Sequence, residues 1–263
     1  MAQIFFEELG KGFPIVLVHG FCESHEIWSD VGVDLSAEFR VLMPDLPGFG
    51  KSPLPDGDLS LERVADILNE WLDSESISHC IMIGHSLGGY ITLAMANKHP
   101  QRLTGFGLFN SSALADSDEK KANRDKLIGF IRKEGVALFI KTFVPSLFYP
   151  DRIHEFRTVV ERIKQIGSET NPQTVVAYAA AMKNRPDHME LLTRYHERLL
   201  LIAGEKDQNV PLEVSRAMAG KLESRNVHIL PDTAHMGMYE QRKAASEGIA
   251  TFARRMANEK AFS

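Results

Sequence analysis

The feature that most restricts the fold of this chain is a serine between two glycines at residues 84–88, Gly-His-Ser-Leu-Gly. An apolar run, His79 to Gly84, precedes the serine, and a helical pattern from Ser86 to about Lys98 follows it. A serine between a buried strand and a helix needs a sharp turn, and side chains two residues on either side would collide there. The pattern therefore predicts a strand, a tight turn and a helix. The Ser86 hydroxyl would project at the helix N-terminus, where the dipole favours developing negative charge.

Short apolar runs alternate with helical patterns along most of the chain. The runs are continuous, which is typical of strands that are buried on both faces of a parallel sheet. We therefore predict an α/β fold, a mostly parallel central sheet with helices on both faces, to which Gln3–Glu8 adds an antiparallel edge strand. The other predicted strands are Pro14–Val18, Arg40–Asp45, His79–Gly84, Leu103–Phe109, Arg198–Ala203 and Asn226–Leu230. The predicted helices are Leu59–Leu72 with Ser60 as N-cap, Ser86–Lys98, Pro211–Leu222 and Gly237–Ala257.

Residues 113–189 depart from this alternation, because they show helical periodicity only, and Asp116 and Glu119 form a capping pattern at the start. A helical block between two strands of a parallel sheet must run over the sheet edge. Ligands bind at the carboxyl ends of the strands, where such a block emerges. We predict a cap inserted after the sixth strand, between core parts at residues 1–112 and 190–263. An elaborate crossover with no role in binding is the alternative interpretation.

A serine hydroxyl is a weak nucleophile and needs a general base. His235 follows the last predicted strand and precedes the last predicted helix, so its loop can bring the imidazole over the sheet edge to Ser86. His85 is adjacent to Ser86, but neighbouring side chains on a tight turn point apart, and His19 is expected to bond loop backbone. The remaining candidates considered, which lie on polar or loop stretches and are expected at the surface, are His25, His99, His154, His188 and His196.

The imidazolium that forms during catalysis needs a carboxylate that also holds its tautomer. Asp207 lies in the loop directly after the strand Arg198–Ala203, and the chain order Ser86, Asp207, His235 suits a serine hydrolase. Glu205, in the same loop, and Asp232, shortly before His235, remain alternatives for the acid.

The negative oxygen of an acyl-transfer intermediate needs two backbone N–H donors. Leu87, directly after Ser86, supplies one. The loop after Pro14–Val18 supplies the other, because Gly20 lets the backbone turn sharply there. The N–H of Phe21 is the predicted donor, and Cys22, the next residue, lies at the same mouth of the site.

Several motifs in this order resemble the α/β-hydrolase superfamily. The motifs are His19-Gly20-Phe21, the stretch from Pro44 to Ser52 (PDLPGFGKS), Gly84 to Gly89 (GHSLGG), Gly204-x-x-Asp207-x-x-Val210-Pro211 and the loop of His235. The resemblance covers residues 1–112 and 190–263. In pattern only, the cap resembles those of small carboxylesterases, enol-lactonases and pimeloyl-carrier-protein methyl esterases. One position departs from relatives: Ala234 stands where glycine usually precedes the histidine. In some relatives the acid follows an earlier strand instead, and that place here holds Asn110, which cannot carry the charge.

The resemblance implies a serine hydrolase that cleaves carboxylic esters, lactones or thioesters of small, largely apolar acyl substrates through an acyl-enzyme. Haloalkane dehalogenases and epoxide hydrolases of the superfamily carry aspartate at the position of Ser86, so the serine argues against both. Hydrolysis of a C–C bond or perhydrolysis on the same triad stays open. So does a receptor that keeps the fold and the triad but turns over slowly.

We expect the substrate pocket between the sheet and the cap. For each cap aromatic, packing inside the cap explains the residue as well as substrate contact does. The candidate lining residues are Phe21, Trp28, Phe139, Phe143, Phe148, Tyr178, Val210 and Met236.

Charge and composition restrict the classes of molecule that this chain is expected to bind. Thirty Lys and Arg against 35 Asp and Glu leave a net charge of -5, and no basic stripe with interleaved aromatics indicates nucleic acid. No apolar stretch approaches the length that crosses a bilayer, and residues 1–10 do not resemble a signal peptide. The cysteines, Cys22 and Cys80, form no metal or disulfide pattern. We therefore expect a cytoplasmic monomer or homodimer that acts on a small-molecule ester without a cofactor or metal.

Overall fold

The computed structural model describes residues 3–261, and seven strands within them form one sheet in the order β1-β3-β2-β4-β5-β6-β7. Strand β1 pairs antiparallel with β3 at one edge, and the other neighbouring strands pair in parallel, as predicted. Residues 1, 2, 262 and 263 of the predicted core lie outside the described residues. The strands are β1 (Phe6–Leu9), β2 (Pro14–Val18), β3 (Arg40–Pro44), β4 (Cys80–His85), β5 (Leu103–Phe109), β6 (Leu199–Gly204) and β7 (Val227–Leu230).

Helices connect the strands and cover both faces of the sheet. Helices α1 and α11 contact each other, and so do α2 and α3. Each of these two pairs also contacts strands of the sheet. The structure adds α1 and α8, which we did not predict, and divides the last predicted helix at Gln241. The helices are α1 (Ser29–Leu35), α2 (Leu61–Ser74), α3 (Leu87–Lys98), α4 (Asp118–Glu134), α5 (Val136–Ser146), α6 (Arg157–Ser168), α7 (Pro172–Lys183), α8 (Met189–Arg194), α9 (Leu212–Ala219), α10 (Gly237–Glu240) and α11 (Arg242–Ala261).

Burial explains why these segments form these elements. Every residue of β4 and of β6 is buried, so neither strand shows the alternation of a half-exposed strand. Helix α2 is amphipathic and begins where Ser60 Oγ accepts a hydrogen bond from Arg63 N at 3.1 Å. Each buried aliphatic side chain contributes about 1.5–3 kcal/mol to the stability of the core. No helix within residues 3–261 has the length and apolar character that a membrane span requires.

The helical block that we predicted as a cap comprises α4 to α8 and lies between β5 and β6. It follows the fifth strand in chain order and not the sixth, because only β1 to β5 precede it in the described sheet. Ser117, and not Asp116, caps α4 by accepting a hydrogen bond from Lys120 N at 3.3 Å. Helix α8 crosses the predicted boundary at residue 189 and contacts α3 of the core. The division at residues 113 and 189 remains a prediction.

The turn from β4 into α3 requires glycine at residue 84. A Cβ on Gly84 would lie 2.2 Å from the carbonyl carbon of Gly88, a backbone atom that cannot move aside. Gly88 has the same restriction toward β2, where its Cβ would lie 2.5 Å from the carbonyl oxygen of Val18. The helix can therefore approach the strand ends only without these side chains.

We expect Gly84→Ala to lower the free energy of unfolding by about 3 kcal/mol or more, because the added methyl group meets backbone. Gly129→Ala is the matched control. Gly129 lies on the exposed side of α4 with nothing within 4 Å of the added Cβ, so alanine there should stabilise the helix by about 0.5–1 kcal/mol. Urea unfolding followed by tryptophan fluorescence measures both. A Gly84→Ala protein within 1 kcal/mol of the parent contradicts this account of the turn.

Candidate active site

Ser86 lies at the carboxyl end of the sheet in a backbone conformation that L-residues rarely adopt, with φ 50° and ψ −112°. Its N–H donates to Phe109 O at 3.0 Å, and its carbonyl oxygen accepts a hydrogen bond from Ser111 Oγ at 2.7 Å. Such a conformation costs on the order of 1–3 kcal/mol and persists only where the surroundings hold it. Strand β5 and the residues after it therefore hold Ser86 at the start of α3.

His235 lies in the loop between β7 and α10, and its Nδ1 lies 2.7 Å from Asp207 Oδ2. Both side chains are almost fully buried. The two loops meet because Gly204, at the end of β6, has no Cβ: one would lie 2.0 Å from the carbonyl oxygen of Ala234. Lys206 N also donates to Thr233 O at 2.8 Å. Sequence reasoning predicted this pairing, and the structure brings the two residues together.

The loop of His235 is held from two further directions. His235 N donates to Leu147 O, after α5, at 2.9 Å, and Ala234 N donates to the buried carboxylate of Glu240 at 2.9 Å. The backbone of Ala234 is outside the left-handed region, so the loop does not need the glycine that relatives usually carry there. The departure at Ala234 thus leaves the position of His235 unaffected.

Asp207 accepts four hydrogen bonds, which favour its ionised form. Oδ1 accepts from Asn209 N at 2.8 Å and Val210 N at 3.1 Å, and Oδ2 accepts from His235 and, at 2.9 Å, from Asn110 Nδ2. Burial raises the pKa of Asp207, but the charge and hydrogen bonds of these donors outweigh it and hold the pKa below its ordinary value. Conversely, burial lowers the pKa of His235, and the Asp207 carboxylate outweighs burial and raises that pKa above its ordinary value.

The two alternative acids lie elsewhere. Glu205 forms an ion pair with Lys206 at 3.2 Å on a partly exposed surface. Asp232 is exposed and has a left-handed backbone with φ 48°. Asn110, which stands where some relatives carry the acid, instead donates to both Asp207 and Ala234 O, at 2.9 Å each.

The predicted oxyanion donors are available. Among the hydrogen bonds that the structure describes for residues 3–258, none is made by the backbone N–H of Phe21 or by that of Leu87. The N–H of Gly20, next to Phe21, is already used, because it donates to Glu23 Oε2 at 2.6 Å. The backbone N–H groups of Phe21 and Leu87 therefore remain the candidate donors to the oxyanion.

A second buried histidine–carboxylate contact lies beside Ser86 and was not predicted. His85 Nδ1 lies 3.1 Å from Glu23 Oε2, and His85 Nε2 lies 3.0 Å from the backbone oxygen of His235. Burial raises the pKa of Glu23, but His85 outweighs burial and holds that pKa below its ordinary value. The contact joins the loop of Phe21 to the loop of His235. Nothing in the stretch Phe21-Cys22-Glu23 distinguishes this buried glutamate from a surface residue.

Ser86 and His235 line one cavity of about 360 Å³ between the sheet and the helical block. Four of the predicted lining residues face it: Phe21, Phe139, Phe143 and Val210. Prediction missed the following lining residues, because neither helical periodicity nor loop position shows which side chains face the cavity: Tyr90, Lys120, Asn123, Arg124, Leu127, Met182, Gln208 and Asn209.

The other four predicted residues do not line this cavity. Trp28 packs edge-on against Phe109 in the core, and Phe148 stacks on Phe156. The Tyr178 hydroxyl donates to Pro47 O at 3.0 Å, and Met236 is fully buried. Their apolar side chains fill the core and the inside of the helical block instead.

Two histidines that we expected at the surface are buried. His25 donates to Asp45 Oδ1 from its backbone N and lies within 2.8 Å of it through Nδ1, which secures the loop before α1. His188 is buried beside α8, and burial lowers its pKa. Both lie outside the cavity lined by Ser86.

One cluster within the described part of the chain could offer three metal ligands: His196, Glu197 and Glu223. His196 and Glu197 are exposed and precede β6, so they lie at the opposite edge of the sheet from Asp207. The cluster contributes nothing to the cavity of Ser86.

Comparison with known proteins places this geometry among related folds. Residues 14–241 match the family model described as alpha/beta hydrolase fold. The solved structure of a thermophilic esterase from Thermogutta terrifontis, with malate bound, is 32% identical. The match covers 97% of this chain and 94% of that one, with a TM-score of 0.91.

Two curated proteins extend the comparison. A pimeloyl-[acyl-carrier protein] methyl ester esterase from Vibrio atlanticus is 25% identical over 96% of this chain and 98% of its own length. The dihydrolipoyllysine-residue acetyltransferase component of an acetoin cleaving system from Pseudomonas putida is 28% identical over 94% of this chain. This chain spans 66% of the length of the Pseudomonas protein and 55% of the length of another curated relative.

The contact between Asp207 and His235 predicts how His235 titrates. Its pKa should lie above the ordinary value of about 6.5, and Asp207→Asn should lower it, because burial is then opposed only by the more weakly acting Glu23 and Glu240. NMR of the imidazole Cε1–H signals across pH measures both. His228, whose pKa burial lowers, is the internal control and should titrate alike in both proteins. A His235 midpoint that Asp207→Asn leaves unchanged contradicts the pairing.

Proposed function

This chain belongs to the α/β-hydrolase fold family, and on that premise we propose that it is a serine hydrolase of carboxylic esters that works through an acyl-enzyme. The observation that carries the proposal is the 2.7 Å contact between His235 and Asp207 beside the cavity that Ser86 and His235 both line. A neutral imidazole held in one tautomer by a carboxylate is what a serine hydroxyl needs in order to lose its proton.

The proposed reaction uses groups of this chain at each step. Ser86 Oγ attacks the ester carbonyl carbon while His235 Nε2 takes the hydroxyl proton. The carbonyl oxygen, now negative, accepts hydrogen bonds from the N–H groups of Phe21 and Leu87. Collapse of this intermediate breaks the bond to the alcohol, which receives the proton from His235. A water molecule, deprotonated by His235, then attacks the acyl carbon. The bond from that carbon to Ser86 Oγ breaks, Ser86 Oγ takes the proton back from His235, and the acid is released.

The cavity supports a small substrate with an apolar part. Its volume of about 360 Å³ is at the lower end of ligand pockets, and Phe21, Phe139, Phe143 and Val210 supply apolar walls. Two proteins similar to this chain over nearly its whole length are named an esterase and a methyl ester esterase, which supports an ester over other acyl substrates. We also propose that residues 113–189 act as the cap of this pocket and that the substrate is a small molecule.

We expect Ser86→Ala to lower kcat by about 10³-fold or more toward short-chain nitrophenyl esters, because the nucleophile and its base act as a unit. A fluorophosphonate should add once to the parent protein, and peptide mapping should place the adduct on Ser86. An adduct on any other residue would falsify the assignment of the nucleophile. Near-zero turnover of the whole ester series, with tight binding of the products, indicates a receptor instead.

Asp207→Asn keeps the shape of the side chain but presents a donor to His235 Nδ1. We expect kcat to fall by about 10³–10⁴-fold with little change in KM. Glu205→Gln and Asp232→Asn are the matched controls, since both carboxylates lie away from His235, and each should keep kcat within about tenfold. A melting curve on each variant checks folding. Near-normal kcat in Asp207→Asn, with loss of kcat in a control, assigns the acid to that control residue.

A further inference from the structure

Helix α4 presents one stripe of side chains to the cavity of Ser86. Its members are Lys120, Asn123, Arg124 and Leu127, at the i, i+3, i+4 and i+7 spacing that places residues on one face of a helix. Leu127 continues the apolar wall, whereas Lys120 and Asn123 are exposed at the outer end. Four residues rise about 6 Å along a helix, so the stripe becomes polar within about one turn of Leu127.

The positive charge of Arg124 is only partly compensated. Its Nε lies 3.2 Å from Asp116 Oδ2, but the same carboxylate already binds the buried Arg185 at 2.7 Å. The guanidinium of Arg185 also lies 3.9 Å from the ring centre of Tyr90, another lining residue. One buried carboxylate thus serves two guanidinium groups, and the cluster keeps one net positive charge beside the cavity.

Lys120 adds a second positive charge to this wall. Within residues 3–258, whose side chains the structure describes, its ammonium group forms no ion pair with an acidic side chain. The acidic residues nearest to Lys120 on the same helix do not neutralise it. Asp125 forms an ion pair with Lys183 at 2.7 Å, and Asp118 and Glu119 do not line the cavity. The residues that line the cavity include no Asp or Glu.

We propose that this wall is an anion subsite and that the substrates are esters whose apolar segment ends in a carboxylate, such as half-esters of linear dicarboxylic acids. The ester carbonyl would lie at Ser86, the methylene chain would lie among Phe21, Phe139 and Leu127, and the carboxylate would lie at Lys120 and Arg124. This inference rests on the proposed function, because it assigns the far end of the same substrate. Apolar walls favour the chain, and the uncompensated cations favour its charged end.

The test compares monomethyl half-esters of dicarboxylic acids with methyl esters of monocarboxylic acids of matched length. The protein should show at least about tenfold higher kcat/KM for the best half-ester than for its neutral counterpart at low ionic strength, and 0.5 M NaCl should reduce that preference. Lys120→Met and Arg124→Gln should each lower kcat/KM for the half-ester, mainly through KM, by about three- to tenfold more than they lower kcat/KM for the neutral ester. The double variant should lose the preference.

Lys126→Met is the matched control, because Lys126 is exposed on the same helix and does not line the cavity. This variant removes one positive charge and should leave kcat/KM unchanged for both the half-ester and the neutral ester. A melting curve on Arg124→Gln checks that the protein still folds without the contact between Arg124 and Asp116. Equal loss with Lys126→Met attributes the preference to net charge and overturns the subsite.

The outcomes separate the subsite from the proposed function. Efficient hydrolysis of the neutral esters with no preference for the half-esters overturns the subsite and leaves the hydrolase intact. Failure to hydrolyse either series overturns the hydrolase. The subsite is then decided by calorimetric titration of adipate into the Ser86→Ala protein. Binding that weakens at least threefold in Lys120→Met and not in Lys126→Met supports the subsite, and no binding overturns it.

Discussion

The backbone of Ser86 lies in a region of φ and ψ that a serine rarely occupies, and the rest of the site depends on what holds it there. Two hydrogen bonds, from Ser86 N to Phe109 O and from Ser111 Oγ to Ser86 O, attach the turn to β5 and to the residues that follow it. Glycines at residues 84 and 88 let three backbone segments meet without side chains. Strain at one residue is therefore supported by the packing of the central strands, which the hydrophobic core stabilises.

Much of the fold was predictable, because its signals are local. Continuous apolar runs placed β2 to β7 to within one or two residues, and the order of the serine, aspartate and histidine anticipated the 2.7 Å contact of Asp207 with His235. The helical block was predictable only as helices, since periodicity does not say which face meets the cavity. Phe148 and Tyr178 were therefore misplaced, and Lys120 and Arg124 were not among the predicted lining residues. Buried polar pairs such as Glu23 and His85 depend on contacts between residues 62 positions apart, which no local pattern reveals.

The groups proposed for the chemistry and the groups that surround the substrate come from different parts of the chain. Ser86, Asp207 and His235 follow strands of the sheet, whereas Leu127, Phe139 and Phe143 belong to the helical block. The two parts are not independent, because His235 N donates to Leu147 O at the end of α5. A shift of α5 would thus reach the loop of the proposed base directly, without passing through the sheet.

The contact between Glu23 and His85 also constrains the charge around Ser86. The backbone oxygen of His235 can only accept a hydrogen bond, so His85 Nε2 must carry a hydrogen. The Glu23 carboxylate, whose pKa lies below its ordinary value, accepts at Oε2 from Gly20 N and faces His85 Nδ1. Its negative charge is therefore met by donors inside the protein. The loop that carries Phe21 is thereby joined through His85 to the backbone of His235, so a change in the Glu23 side chain would reach the proposed oxyanion donor and the proposed base together.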